Sequence, residues 1–451
     1  MLLIARYVIP VSYPHVENGA VLVRDGKIAD IGTAAKLKTR HPNEETLDFG
    51  LAALMPGFVD AHTHLEYSAM RGLINDVPYA AWKLHISEKE KRFSLQDWND
   101  SALLGALEAV RSGITTVADI TETGAARIAA EAVGLHGIIY REVGTMDKGE
   151  IGPVLDAAFA DVAAWRACSD PDRLRIGIAP AALYDCHPLI FQRVSEHAAD
   201  GTPVAIHLAG SREEYEFIRY GSSPFSVHST EQERGYGIDM PPWLATGVSP
   251  VRYILNWGLF EVPELLAIHC VQVDDADIEK LAEYDVAVAV CSRCNAQLAM
   301  GVAPLMKFID AGLRIGLGTD SPAAADATDP LAEMRIGLLL QRALGTRSRF
   351  LTTTQMLRMA TLGAAEALRM DDRVGSLDTG KAANIIAIDL SNSNQAPTHD
   401  PNSAIVNTAT QDNVLMTMID GRVIYDGHHR HGVDVQRVFA RAEEMRLKLR
   451  G

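Results

Sequence analysis

The sequence predicts an α/β protein: a (β/α)8 TIM-type barrel over residues 56–370, beside a small β domain built jointly by residues 1–55 and 371–451. Three observations predict it. Short apolar runs alternate with longer amphipathic stretches through the middle of the chain, polar residues fit for catalysis close several of those runs, and both chain ends carry strand pairs punctuated by Asp-Gly.

At the N-terminal end, "GAVLVRDGKIADIG" places Asp25-Gly26 between two alternating apolar runs, the pattern of a tight hairpin. "AANIIAIDL" and "VLMTMIDGRVIYDG", with Asp420-Gly421, repeat that pattern near the other end, so the two ends are expected to pair, with a terminal helix following. Between them, "GFVDAHTH", "ITTVADI", "GIIYREV", "RLRIGIAP", "PVAIHLAG", "LLAIHCV", "DVAVAVCS" and "RIGLGTD" read as strands, while "ALLGALEAVRSG" and "GAARIAAEAVG" read as helices. Strands apolar on both faces imply a parallel sheet covered by helices. An open doubly wound sheet fits the alternation too; the barrel is preferred because reactive residues end several different strands, where barrel active sites converge.

With 451 residues, 47% hydrophobic and 22% charged, the composition is that of a globular protein with a large core. A net charge of −16 argues against nucleic acid and anionic membrane surfaces, whose binding draws on clustered Lys and Arg. No run of about 18 apolar residues occurs and the first residues carry no basic leader, so a cytoplasmic protein is expected. The 5 cysteines suit a reduced compartment, and Cys291 with Cys294 lacks the second pair of a tetrahedral Cys₄ zinc site, so it reads as an ordinary strand end. Assembly into a homo-oligomer stays open.

His62 and His64 end an apolar strand at i and i+2, which turns both imidazoles to one side. His207, His269 and Asp320 each close another short apolar strand. Neutral imidazoles and a carboxylate at one rim are what a borderline divalent cation takes, zinc ahead of iron, with an open position for a reacting water. Tyr67, Trp82, Trp243, Tyr253 and Trp257 offer faces on which a flat heterocycle stacks; Tyr253 and Trp257 lie in a helical pattern and read as core.

"MPGFVDAHTHLE", "AIHLAGSREE", "AIHCV", "GLGTDS" and "GSLDTGKAANIIAID" together resemble the cytosine deaminase and chlorohydrolase-like branch of the amidohydrolase superfamily over nearly the whole chain. "PYAAWKLHI", "ALEAVRSGITTVADI" and "GVSPVRYI" look most similar to aminodeoxyfutalosine deaminase-like members, then to methylthioadenosine and S-adenosylhomocysteine deaminases. The resemblance implies one divalent metal ion on His62, His64, His207 and Asp320, with Asp320 also the base and His269 contacting water or substrate. It implies a single ion because "RLRIGIAP" and "GIIYREV" lack the carboxylated lysine of binuclear members. The implied activity is hydrolytic deamination of a small-molecule heterocycle, foremost a 5′-modified adenine nucleoside.

Two positions depart from that pattern. Gly210 stands where the branch carries a proton-shuttling glutamate, and Ala181 where it carries a substrate-contacting histidine. Glu213 or Glu214 is expected to supply the acid from the following turn, and Glu66, Trp82, Glu142 and Asp185 to contact substrate. The alternatives are hydrolysis of another C–N or C–Cl bond, as in triazine chlorohydrolases, and a ligand-binding protein with impaired catalysis. Restoring glutamate at 210 is expected to raise deamination roughly tenfold.

Overall fold

The computed structural model describes residues 1–226, 245–345, 350–429 and 431–450. One sheet is made from the chain ends. It contains β1 (Leu2–Val8), β2 (Val16–Arg24), β3 (Lys27–Thr33), β4 (Thr46–Asp48) and β5 (Ala52–Pro56) from the beginning of the chain. The eight strands that follow, β6 (Phe58–Thr63), β7 (Ile114–Thr121), β8 (His136–Val143), β9 (Leu174–Pro180), β10 (Val204–Leu208), β11 (Leu265–His269), β12 (Ala287–Val290) and β13 (Ile315–Leu317), form the barrel sheet in chain order. Then β14 (Ile385–Asp389), β15 (Val414–Ile419) and β16 (Arg422–Tyr425) return to the first sheet, where β14 pairs antiparallel with β5.

Both Asp-Gly turns form as the residue types require. Asp25 and Gly26 have φ of 50° and 74°, Asp420 and Gly421 of 48° and 72°, the left-handed pair of a two-residue hairpin. The two turns touch: a Cβ on Gly26 would stand 3.2 Å from the Asp420 carbonyl oxygen, so glycine is needed there for packing as well as for φ.

The barrel strands are parallel, and the ring closes through a bridge between Thr63 and Asp320. Asp320 N donates to His62 O at 2.9 Å, and Thr63 Oγ1 to Asp320 O at 3.1 Å. Buried Asp60 staples the same seam by accepting from Thr319 N at 2.8 Å and Thr319 Oγ1 at 2.5 Å. Glycines make the closure narrow: a Cβ on Gly318 would lie 2.9 Å from His62 Cβ and 3.0 Å from Cys291 Sγ.

Alternation sorts the side chains into two cores. Ala118, Ile138, Ala179, Ala205, Ile268 and Ala289 face one another inside the barrel, small enough to fill so narrow a ring. Val117, Ile139, Ile178, Ile206, Ala267 and Val288 face outward, under helices such as Leu95–Arg111 and Ile151–Cys168.

The terminal helix, Val435–Arg450, lies against the barrel side rather than the small sheet with which the sequence groups it. Arg441 pairs with Asp97 at 2.9 Å and Asp100 at 2.8 Å, and Lys448 also pairs with Asp97. Leu449 is buried in the cluster that holds Trp82 and Ile86. No helix among the described residues is long and apolar enough to cross a membrane.

Candidate metal and substrate site

Strand ends build the site at the C-terminal mouth of the barrel. His62 lies on β6, His64 directly after it, His207 on β10, His269 at the end of β11 and Asp320 beyond β13. Ligand-capable atoms of His62, His64 and His207 lie within 4.8 Å of one another. The i, i+2 spacing does what the sequence predicts, with the His62 and His64 rings 4.8 Å apart between centroids.

His269 arrives differently. It shares strand parity with the outward-facing Leu265 and Ala267, yet lines the cleft, because its backbone turns into the left-handed region at φ 73°. Asp320 is turned likewise, at φ 60°. Non-glycine residues in this region cost energy and concentrate at functional sites.

The imidazoles are poised as electron-pair donors. His64 Nδ1 donates to the Ile120 carbonyl at 2.9 Å, which leaves the lone pair on Nε2 pointing 3.3 Å from His207 Nε2. Both ring nitrogens of His62 are buried without a hydrogen-bond partner among the described residues. Burial foremost, then the neighbouring imidazoles, hold His62 and His207 well below the usual histidine pKa, so both are neutral. Asp320 approaches His62 Nε2 at 3.8 Å through Oδ1 and His269 Nε2 at 3.8 Å through Oδ2, too far for hydrogen bonds. Orphaned buried nitrogens beside a carboxylate form the donor set that a borderline divalent cation satisfies.

A cleft opens to solvent from these residues. Tyr79, Trp82, Lys83 and Ile86 line it from the helix Tyr79–Glu90, at the i, i+3, i+4, i+7 spacing of one helix face. Trp82 is fixed by its Nε1 donating to Ala323 O at 3.2 Å, and Tyr184 by stacking on Phe225 and a 2.5 Å contact with the Tyr79 hydroxyl. Tyr67 also lines the cleft, Tyr253 and Trp257 pack in the outer core as expected, and Trp243 lies outside the described residues.

Of the carboxylates singled out from sequence, Glu142 and Asp185 reach the cleft. Asp185 lies 3.6 Å from Lys83 Nζ, and burial pushes the Glu142 carboxyl up to about 7. Glu66 does not reach it: its carboxylate is buried and accepts from Thr121 Oγ1, Thr123 Oγ1 and Glu122 N. Glu214 does not either, because it accepts from Ala209 N at 3.0 Å and Gly210 N at 2.8 Å and so braces the turn after His207. Glu213 is half-buried on the same helix and absent from the lining. Glu214→Ala is therefore expected to destabilise the fold, by about 1–3 kcal/mol for each amide left without an acceptor. Denaturant titration checks this, with Glu214→Gln, which keeps one acceptor, falling between.

Sequence reasoning missed Lys83, Tyr79, Tyr184, Cys294 and the Asp60 staple. The helix-face spacing around Trp82 was the available signal for Tyr79 and Lys83; Tyr184 and Cys294 sit in loop or short-helix stretches with no period to read.

The Amidohydrolase family profile matches residues 53–424. The chain belongs to the amidohydrolase family. A shorter match, residues 19–43, is to an imidazolonepropionase-like composite domain of bacteria and falls in the small sheet. This amidohydrolase is 31% identical over 439 residues to a 5-methylthioadenosine/S-adenosylhomocysteine deaminase of Pelotomaculum thermopropionicum, covering 96% of this chain and 94% of that one. A protein of the same name from Syntrophobacter fumaroxidans is 31% identical over 433 residues, 94% and 92% of the two chains. Among solved structures, an adenosine deaminase from Xanthomonas campestris with bound zinc superposes with a TM-score of 0.84 at 26% identity, covering 100% of this chain and 98% of that one. The atrazine chlorohydrolase of Arthrobacter aurescens shares the fold, with a TM-score of 0.82 at 22% identity over 98% and 99% of the chains.

Proposed function

We propose that this amidohydrolase removes the exocyclic amine of a 5′-modified adenine nucleoside by hydrolysis, with one zinc ion held by His62, His64, His207 and Asp320. The observation that carries the reading is the cluster of neutral imidazoles beside Asp320, His62 among them with neither ring nitrogen partnered by a described residue, at the end of a cleft walled by aromatic faces. The deaminase names of relatives about 31% identical over nearly the whole chain support the substrate class.

A bound divalent ion supplies water whose pKa falls from about 16 to about 7. Asp320 would accept a proton from the attacking water, and His269, facing the second oxygen of Asp320, would orient that water. Trp82 and Tyr184 bracket the flat base, while Lys83, Glu142 and Asp185 meet the polar sugar and its 5′ substituent. The 5 free cysteines and the acidic net charge support a reduced, cytoplasmic setting without nucleic acid partners.

One feature favours a second reading. Gly210 offers no acid to a leaving amine, so a chloride, which departs without a proton, is the alternative leaving group. Metal-replete protein incubated with adenine nucleosides, guanine, cytosine and chlorotriazines decides between them: ammonia from adenine nucleosides supports deamination, chloride the alternative, and tight binding without product a ligand-binding protein.

A pH dependence follows from Glu142. With its carboxyl near 7, it is ionised and a full acceptor for sugar hydroxyls above that pH, and protonated below. KM for a nucleoside is expected to rise severalfold as pH falls from 8 to about 6, and Glu142→Gln to flatten that profile; initial-rate kinetics across the range check it.

A further inference from the structure

A second group of ligand-type side chains shares the barrel mouth. His269, Cys291 directly after β12, and Asp320 bring a ring nitrogen, the Sγ and a carboxylate oxygen all within 4.8 Å of one another. They are deeply buried, at 3%, 0% and 6% exposure. Cys291 continues the inward parity of Ala287 and Ala289, so β12 aims its sulfur into the barrel and not at the helices. Asp320 is split between the two groups, with Oδ1 toward His62 and Oδ2 toward His269. A carboxylate that presents one oxygen to each of two ligand sets has the disposition of a bridge between neighbouring cations.

We propose that His269, Cys291 and Asp320 form a second, weaker cation site that takes a soft divalent ion such as zinc and, when filled, inhibits the enzyme. The donors decide the class of ion. A thiolate, an imidazole and one carboxylate oxygen select zinc over magnesium or calcium, and three protein ligands leave a fourth position for water. The step balances without redox chemistry: the ion replaces the proton of the Cys291 thiol, which leaves to solvent. Inhibition follows because the ion engages His269 and the Asp320 oxygen beside it, the groups assigned above to orienting the water and taking its proton. That inhibitory consequence rests on the proposed hydrolase function; the binding itself does not.

The test counts metal and reads its ligands. Dialysed against metal-free buffer, wild-type protein is expected to hold one zinc per chain, and in excess zinc two; Cys291→Ala is expected to stop at one. With cobalt in place of zinc, the second equivalent gives a thiolate-to-cobalt charge-transfer band in wild type that the variant lacks. Zinc beyond the first equivalent lowers wild-type turnover at least tenfold and that of Cys291→Ala less than twofold. A wild type that saturates at one ion without the band overturns the proposal, as does a variant that takes up two. Should Cys291→Ala not fold, the wild-type stoichiometry and cobalt spectrum decide alone. Two ions and the band in a wild type that hydrolyses nothing would uphold the site and overturn the function.

Discussion

His62→Ala and Asp320→Ala are each expected to lose both the tightly held metal and turnover, whereas His269→Ala loses turnover and keeps about one metal per chain. The difference follows from position. His62 is wholly buried with both ring nitrogens unpartnered, and truncating it removes one donor of a set that has few. Asp320 faces His62 through one oxygen and lines the cleft beside the imidazoles. His269 stands on the far oxygen of Asp320, outside the compact triad of His62, His64 and His207. A bound cation contributes several kcal/mol of transition-state stabilisation, and each 1.36 kcal/mol is a factor of ten in rate, so roughly three decades or more are at stake. Elemental analysis after dialysis against metal-free buffer, with ammonia release on the same samples, reads both quantities. Equal metal loss in all three variants would make His269 a full ligand of the first ion.

The barrel and the strands that end in candidate ligands are legible because they rest on short-range rules. Period-two alternation, Asp-Gly turns and the i, i+2 histidines are local, and the structure obeys them in β2, β3, β6, β10, β15 and β16. What sequence could not supply was competition for polar groups. Glu66 and Glu214 follow strand ends as catalytic carboxylates do, yet Thr121, Thr123 and the amides of Ala209 and Gly210 had already claimed them. Those hydrogen bonds depend on loop geometry that no spacing encodes. His269 shows the opposite case: parity alone turns it outward, and only a left-handed backbone brings it into the cleft. The seat of the terminal helix is not legible for a related reason, since the Asp97 and Asp100 pair that holds Arg441 lies more than 340 residues away along the chain.

Gly210→Glu alone is expected to lower turnover, while Gly210→Glu combined with Met300→Ala raises deamination roughly tenfold above the parent. The first half reverses what the sequence suggests, and packing is the reason. A Cβ on residue 210 would stand 2.9 Å from Met300 Cε and 3.2 Å from His269 Cδ2. Met300 thus occupies the space into which a side chain at 210 would grow, and the His269 ring flanks it. The Met300 methyl can yield because it ends a flexible chain, but the rest of a glutamate must follow the Cβ into the same volume and press on His269. Truncating Met300 to alanine empties that volume. It removes a buried side chain at a cost of about 2–5 kcal/mol when the space stays empty, and the introduced glutamate refills part of it. Attack on the ring carbon builds negative charge on the adjacent nitrogen, so an acid delivered beside His269 acts in the transition state, where general acid–base groups contribute about 10² to 10⁴ in rate at their best. The four proteins of the double-mutant cycle, assayed for ammonia release and metal content, separate crowding from chemistry. A double variant that folds, keeps its metal and gains nothing would place the proton donor elsewhere in the cleft, with Glu142 the carboxyl to remove next.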